Sequence, residues 1–168
     1  MDSLGAEEAL HPCEAEEDRD ACYMREALAE ARKALLWGDV PVGAVIVYEG
    51  RIVGRGANTR ERDQDPLGHA EIHAIREAAK VLNTWRLSGT TLYVTLEPCP
   101  MCAGAAVQSR ISRLVFGAYD PKAGCAGSVY NLVEEPRFNH RLEVRGGVLA
   151  DEAGELLRSF FRGLREPR

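Results

Sequence analysis

The stretch TLYVTLEPCPMCAGA, residues 91–105, determines the expected fold more than any other part of the sequence. Its first half is rich in β-branched and aromatic residues, which predicts a strand over residues 91–97. Its second half starts with Pro100 and is rich in alanine, which predicts a helix over residues 100–110, because proline is favoured in the first helical turn. The boundary between strand and helix therefore carries the pair Cys99 and Cys102.

Further strands and helices are predicted on both sides of this stretch. Helical periodicity predicts helices over 20–37, 69–83 and 151–164, and apolar runs predict strands over 42–48, 51–57, 113–119 and 142–149. The first two strands form a hairpin, and strands separated by single helices favour parallel pairing through right-handed crossovers. We therefore expect an α/β fold with three layers, α/β/α, around a mixed sheet of about five strands.

The composition is that of a globular protein. The chain has 168 residues, of which 45% are hydrophobic and 28% charged, which is enough apolar material for one domain. No apolar run approaches the roughly 20 residues of a membrane span. The first residues, MDSLGAEEAL, have neither the basic region nor the apolar stretch of a secretory signal. We therefore expect a cytoplasmic protein without membrane association.

Acidic residues are concentrated at the start of the chain. Residues 1–20 hold eight acidic residues and one basic residue, whereas the remainder holds 18 acidic and 20 basic residues. We expect residues 1–18 to form a poorly ordered acidic tail and residues 19–168 to form a single domain. The weakly basic remainder is compatible with a polyanionic partner but does not by itself predict one.

The cysteines predict a metal site rather than disulfides. There are five of them, and an odd number without a secretory signal argues against a disulfide framework. Cys99 and Cys102 form a C-x-x-C pair, which is typical of either half a metal site or a redox motif. The order of elements before Cys99 differs from that of a thioredoxin-like domain, so we favour the metal site.

A second motif completes this site. His69, Ala70 and Glu71 open the predicted second helix, and sites in open α/β sheets lie at such strand-to-helix edges. Two thiolates and one imidazole make a three-ligand zinc site, in which water takes the fourth position of a catalytic centre. Cys125 and His140 remain alternative fourth ligands.

Glu71 follows His69 by two residues and lies close to any metal ion that His69 holds. Its carboxylate can take a proton from the activated water and return it to a leaving group, as a general base and general acid. The joint pattern H-x-E and P-C-x-x-C is the signature of zinc-dependent deaminases of nucleobases. The expected chemistry is therefore hydrolytic deamination.

These residues resemble the cytidine deaminase-like superfamily of zinc deaminases, and within it the bacterial tRNA-specific adenosine deaminases. The resemblance is carried by PVGAVIV (41–47), HAEIHAIR (69–76), DPKAGCAGS (120–128) and NHR (139–141). It implies one Zn²⁺ per chain, a homodimer, and conversion of adenosine to inosine at the wobble position of a tRNA anticodon, above all in arginine tRNA. The tRNA anticodon loop is then the macromolecular partner.

The resemblance also implies roles for individual residues. Zinc would be held by His69, Cys99 and Cys102, and Glu71 would be the catalytic residue. Contacts with the substrate would come from Asn58, Ala70, Asp120, Lys122 and Asn131.

Two other functions remain open at this stage. A deaminase of free nucleobases or nucleosides, such as guanine or cytosine, would carry the same zinc motif. A non-catalytic, zinc-stabilised RNA-binding module would carry the three ligands, but a structural zinc ion has no use for Glu71.

Overall fold

The computed structural model describes residues 9–165, and five strands within them form one mixed sheet. The strands are β1 (Gly43–Tyr48), β2 (Arg51–Ala57), β3 (Thr90–Leu96), β4 (Arg113–Ala118) and β5 (Glu143–Arg145). Their order in the sheet is β2-β1-β3-β4-β5. Strand β1 is antiparallel to both of its neighbours, and β3, β4 and β5 are parallel. The predicted α/β fold with about five strands is confirmed.

A helix links β2 to β3, and another links β3 to β4. We expected the strands of each such pair to be parallel neighbours, and this is true of only one pair. Strands β3 and β4 are adjacent and parallel. Strands β2 and β3 also run in the same direction, but β1 lies between them and is antiparallel to both. One edge of β1 pairs with β2 in the hairpin, and its other edge pairs with β3.

The helices lie on both faces of the sheet. They are α1 (Arg19–Leu36), α2 (Arg60–Asp63), α3 (Ala70–Leu82), α4 (Pro100–Gln108) and α5 (Ala150–Arg165). Helices α3 and α4 cover one face, and α1 and α5 cover the other. The short helix α2 was not among the predicted elements. Within residues 9–165, no helix combines the length and the apolar character needed to cross a membrane.

Alternate residues of β1 build the two halves of the core. Ala44 and Ile46 belong to the cluster under α3 and α4, whereas Val45 and Val47 belong to the cluster under α1. This is the period of two that a strand imposes when both of its faces are covered.

Helix α3 lies unusually close to β2, which fixes the position of the residues at its start. A Cβ atom on Gly56 would lie 2.1 Å from the carbonyl oxygen of Ala70, so only glycine permits this contact. The facing residues Ala70 and Ala74 are fully buried. His69, which precedes α3, is thereby held at the edge of the sheet.

The N-terminal segment differs from the prediction. Cys13 and Cys22 form a disulfide bond, with their Cα atoms 5.5 Å apart, so the expectation of unpaired cysteines is wrong for this pair. Cys13 is fully buried within a short 3₁₀ helix, Pro12–Ala15. The His11 amide donates to the carbonyl of Gly50 in the β1–β2 turn, over 2.8 Å.

The prediction of poor order is therefore wrong for residues 9–18, because the disulfide and the turn hold this segment. Residues 1–8 lie outside the described residues. The β1–β2 turn lies beside the start of β3, since Tyr48 pairs with Thr90. The ordered part of the acidic segment is therefore at the end of the sheet opposite to Cys99.

Candidate active site

The starts of two helices meet at the carboxyl end of β3. Helix α3 begins immediately after His69, and α4 begins immediately after Cys99. Two residues, Glu97 and Pro98, separate Cys99 from the end of β3 at Leu96. Both motifs therefore lie at one edge of the sheet, as the sequence predicted from the positions of strands and helices.

One histidine and two cysteines converge at this edge. Their ligand atoms, one from each of His69, Cys99 and Cys102, all lie within 4.8 Å of one another. The Nδ1 atom of His69 is 3.5 Å from the Sγ atoms of both cysteines. One nitrogen and two sulfurs are the donor set of catalytic zinc sites, so the residues fit a metal ion.

The two alternative fourth ligands are engaged elsewhere. The Sγ atom of Cys125 contacts the carbonyl oxygen of Ala123, 3.6 Å away. The Nε2 atom of His140 lies 2.6 Å from the carbonyl oxygen of Ile111. Within residues 9–165, the group that gathers around His69 includes neither of them. Among the described residues, a metal ion at this site would therefore have three protein ligands.

The contacts within the cluster shift its acid–base equilibria. A hydrogen bond with Cys102, aided by His69, lowers the pKa of Cys99 to about 4, although burial opposes this. The same hydrogen bond and burial raise the pKa of Cys102. The hydrogen bond with Cys99 raises the pKa of His69. One thiol is thus already disposed to be a thiolate, which is the form that binds metal ions.

Glu71 lies in the first turn of α3 with only 3% of its surface exposed. Burial raises the pKa of this carboxyl group. The carboxyl group contacts its own backbone amide and the Cys102 thiol and lies near His69, and no lysine or arginine of residues 9–165 forms an ion pair with it. A buried carboxyl group without a lysine or arginine partner, beside a metal-binding cluster, is suited to carry a proton.

A cavity of about 210 Å³ opens next to this cluster. Drug-sized pockets occupy roughly 300–1,000 Å³, so this one is of a size for a single planar base. Its polar lining comes from Asn58, Arg60, His69, Glu71, Glu97, Cys99 and Asp120, and its remaining lining from Val40, Val42, Ala70, Leu96 and Ala123.

Comparison with known proteins shows the family. The chain matches the MafB19-like deaminase family over residues 18–165. It is 56% identical to the tRNA-specific adenosine deaminase of Bacillus subtilis over 150 residues, which cover 89% of this chain and 93% of that protein. The chain belongs to the family of tRNA-specific adenosine deaminases.

Two further proteins support the assignment of the chain to this deaminase family. The tRNA-specific adenosine deaminase of Haemophilus influenzae is 50% identical over 150 residues, covering 89% of this chain and 87% of that protein. A solved structure from work on A-to-I editing by tRNA:A34 deaminases at the wobble position matches with a TM-score of 0.77. It is 43% identical and covers 81% of this chain and 99% of the other.

One wall of the deaminase pocket is the segment that carries Asn58. The side-chain amide of Asn58 donates to the carbonyl of Val40 and accepts from the amide of Arg60, over 3.1 and 3.0 Å. The fully buried carboxylate of Asp39 accepts from the first amides of α2, at Glu61 and Arg62. The Asn58 side chain thus holds its own segment, and one of its N–H groups remains for a ligand.

The opposite wall of the deaminase pocket is the segment that follows β4. Asp120 and Ala123 line the cavity, whereas Lys122 and Asn131 do not. Lys122 is exposed, and its backbone amide donates to the carboxylate of Asp120. The exposed side chain of Asn131 exchanges hydrogen bonds with Glu134. Of the five predicted substrate contacts, Asn58, Ala70 and Asp120 therefore border the cavity, and the other two lie outside it.

Sequence reasoning missed two charged side chains of this pocket. Arg60 and Glu97 both line the cavity. Neither side chain was among the predicted substrate contacts. Arg60 follows Asn58 by two residues, and Glu97 directly precedes Pro98. These positions in the sequence do not distinguish a pocket residue from a surface residue.

Proposed function

We propose that this protein hydrolyses adenosine to inosine at the wobble position of a tRNA anticodon, with arginine tRNA as the substrate. The proposal rests chiefly on one observation, the buried Glu71 beside His69, Cys99 and Cys102, next to a cavity of about 210 Å³. The relatives named as tRNA-specific adenosine deaminases support the choice of substrate.

His69, Cys99 and Cys102 would hold a zinc ion. Zinc, when bound, lowers the pKa of water to about 7, which makes hydroxide available near neutral pH. The lowered pKa of Cys99 favours this occupancy, because cysteine ligates metals as a thiolate.

Glu71 then moves the protons of the reaction. Its carboxylate would accept a proton from the attacking water and pass it to the ring nitrogen of the base. It would then take the remaining proton of the added hydroxyl group and pass it to the departing amine, so that ammonia and inosine are released. The hydrophobic lining from Val40, Val42 and Leu96 keeps bulk water from the base. The amide group of Asn58 and the backbone of Ala70 lie where they can orient the flipped nucleoside.

Recognition of RNA requires contacts beyond the cavity. A wobble base must leave its stack to enter so small a pocket, and phosphate and sugar contacts then hold the rest of the loop. Lys122 and Asn131 are exposed residues that follow Asp120 in the chain, and we assign them to this second set of contacts. Free guanine or cytosine would need no such residues.

The decisive experiment measures inosine formation on an arginine tRNA anticodon stem-loop, with free guanine, cytosine and adenosine as parallel substrates. We expect inosine from the stem-loop and little product from the free compounds. Efficient deamination of guanine or cytosine with an unchanged stem-loop would contradict the proposal. A zinc-loaded protein that binds the stem-loop without turnover would instead indicate the RNA-binding module.

The homodimer implied by the resemblance and the cytoplasmic location expected from the sequence remain predictions. Light scattering coupled to size-exclusion chromatography tests the first of them. A mass of about twice the 18.5 kDa of one chain is the expected result.

A further inference from the structure

Glu97 is a buried charge that the proposed reaction does not use. It follows β3 directly, lines the cavity, and exposes only 2% of its surface. Its Oε1 atom accepts hydrogen bonds from the Asp120 amide and the Ser128 hydroxyl, and its Oε2 atom from the amides of Ala126 and Ser128. A single carboxylate therefore receives four donors from residues 120–128.

The segment held in this way is the wall of the pocket opposite Asn58. Asp120 and Ala123, which line the cavity, belong to it. The Cys125 amide adds a hydrogen bond to the carbonyl of Pro98, over 2.8 Å. Residues 120–128 are thus attached to the same few residues, 97–99, that lead into the metal-binding cluster.

The packing around the carboxylate is an independent sign that the segment is built around it. A Cβ atom on Gly124 would lie 2.3 Å from Cδ of Glu97 and 2.5 Å from the carbonyl oxygen of Asp120. Only glycine permits this approach, because any side chain would displace either the carboxylate or the turn. The backbone therefore wraps around Glu97 rather than merely passing it.

Both oxygens of Glu97 are occupied by hydrogen bonds from residues 120–128. The carboxylate of Glu97 is therefore a fixed acceptor for this segment, whereas the carboxyl group of Glu71 contacts the Cys102 thiol of the metal-binding cluster.

We propose that Glu97 is a positioning residue that fixes residues 120–128 as the RNA-facing wall of the pocket, and so controls substrate binding rather than proton transfer. The proposal rests on the function proposed above, because it assigns the wall to the RNA. It predicts that loss of the carboxylate loosens the wall while the metal ligands and Glu71 remain in place.

The test is Glu97→Gln in the full-length, metal-loaded protein. Glutamine keeps the shape but turns an NH₂ group towards amides that need an acceptor. We expect KM for the stem-loop to rise about tenfold, since hydrogen bonds to a charged group are lost, with kcat changing less than threefold and metal content unchanged. Glu77→Gln, an exposed glutamate on α3, is the matched control and should behave as the wild type.

A second readout does not depend on deamination. Lys122 lies inside the held segment, so trypsin cleavage after Lys122 should be on the order of tenfold faster in Glu97→Gln than in the wild type. Ser128→Ala removes one of the four donors and should give a smaller change in the same direction, which keeps the test valid if Glu97→Gln does not fold.

The outcomes separate the two proposals. A fall in kcat with unchanged KM and unchanged trypsin cleavage would make Glu97 a participant in the chemistry and overturn its positioning role. Wild-type behaviour of both variants would also overturn it. If trypsin cleaves Glu97→Gln faster but the wild type forms no inosine, the role of Glu97 in fixing residues 120–128 is retained and the proposed RNA reaction is rejected.

Discussion

The two ends of the sheet each bury a carboxyl group, but in opposite electrostatic settings. At the amino end of the parallel strands, Asp20 is 7% exposed and accepts hydrogen bonds of 2.7–2.8 Å from Tyr93, Arg113 and Arg145. At the carboxyl end, Glu71 is 3% exposed and has a thiol, an imidazole and an open cavity around it.

This difference separates a structural charge from a functional one. Burial raises the pKa of Asp20, but the hydrogen bonds from Arg113, Arg145 and Tyr93 outweigh it and lower the pKa to about 2. Burial raises the pKa of Glu71, and no arginine compensates for it. The paired carboxylate holds the fold together, and the carboxyl group without a cationic partner is available for proton transfer.

The largest effect is expected from breaking the metal cluster. Cys99→Ala leaves two ligands, which hold a metal ion poorly, so both bound metal and inosine formation should be lost. Elemental analysis and the stem-loop assay measure these quantities. Cys125→Ala, which removes a free cysteine outside the cluster, should keep its metal. One zinc ion per chain in Cys99→Ala would place the metal site elsewhere.

Removing the unpaired carboxyl group should affect turnover alone. Glu71→Gln keeps the size of the side chain and all three metal ligands, but it cannot accept a proton. We expect kcat to fall by about 10²–10⁴ with metal content and thermal stability close to the wild type. Near-normal turnover with bound metal would show that Glu71 is not the proton carrier.

The paired carboxylate should give the reverse result. Asp20→Asn leaves Arg113 and Arg145 facing a neutral amide, so the free energy of unfolding should fall by roughly 1–3 kcal/mol, with kcat for the stem-loop unchanged. Urea denaturation measures the first quantity. The exposed Asp151→Asn is the control, with a change within about 0.5 kcal/mol. If Asp20→Asn lost turnover without losing stability, the distinction between a structural carboxylate at one end of the sheet and a functional one at the other would be contradicted.

The pH dependence of stability sharpens the same comparison. Because the pKa of Asp20 is lowered from 3.8 to about 2 on folding, its contribution is complete above about pH 4 and is lost as the pH falls towards 2. The contribution is about 2 kcal/mol. The difference in unfolding free energy between wild type and Asp20→Asn should therefore shrink over this range. A constant difference would mean that the charge of Asp20 does not contribute.

The smallest effect is expected at the rim of the pocket. Lys122→Ala should raise KM for the stem-loop a few-fold and lower the slope of log KM against log salt by about one, since one phosphate contact is lost. Metal content and kcat should not change. Lys80→Ala, at an exposed position on α3, serves as the comparison. Identical salt slopes for the two variants would exclude Lys122 from the RNA contacts.

Much of the fold was predictable because its signals are local. The period of the apolar residues placed all the longer helices and four of the five strands within a few residues, whereas β5 is only Glu143–Arg145 instead of the expected eight residues. The helix α2 was missed because its four residues are polar and make no periodic pattern. The Cys13–Cys22 bond was missed because a count of cysteines carries no information on which of them approach each other.

The sequence by itself determined the chemistry of the metal cluster, because His69, Glu71, Cys99 and Cys102 lie in two short motifs at predictable helix starts. Only the tertiary structure decided which buried carboxylates receive hydrogen-bond donors. Asp20, Tyr93 and Arg113 are far apart along the chain, as are Asp39 and Arg62, or Glu97 and Ser128. Whether a buried carboxylate receives a donor depends on distances of about 3 Å between separate elements, and these are set when the helices pack on the sheet.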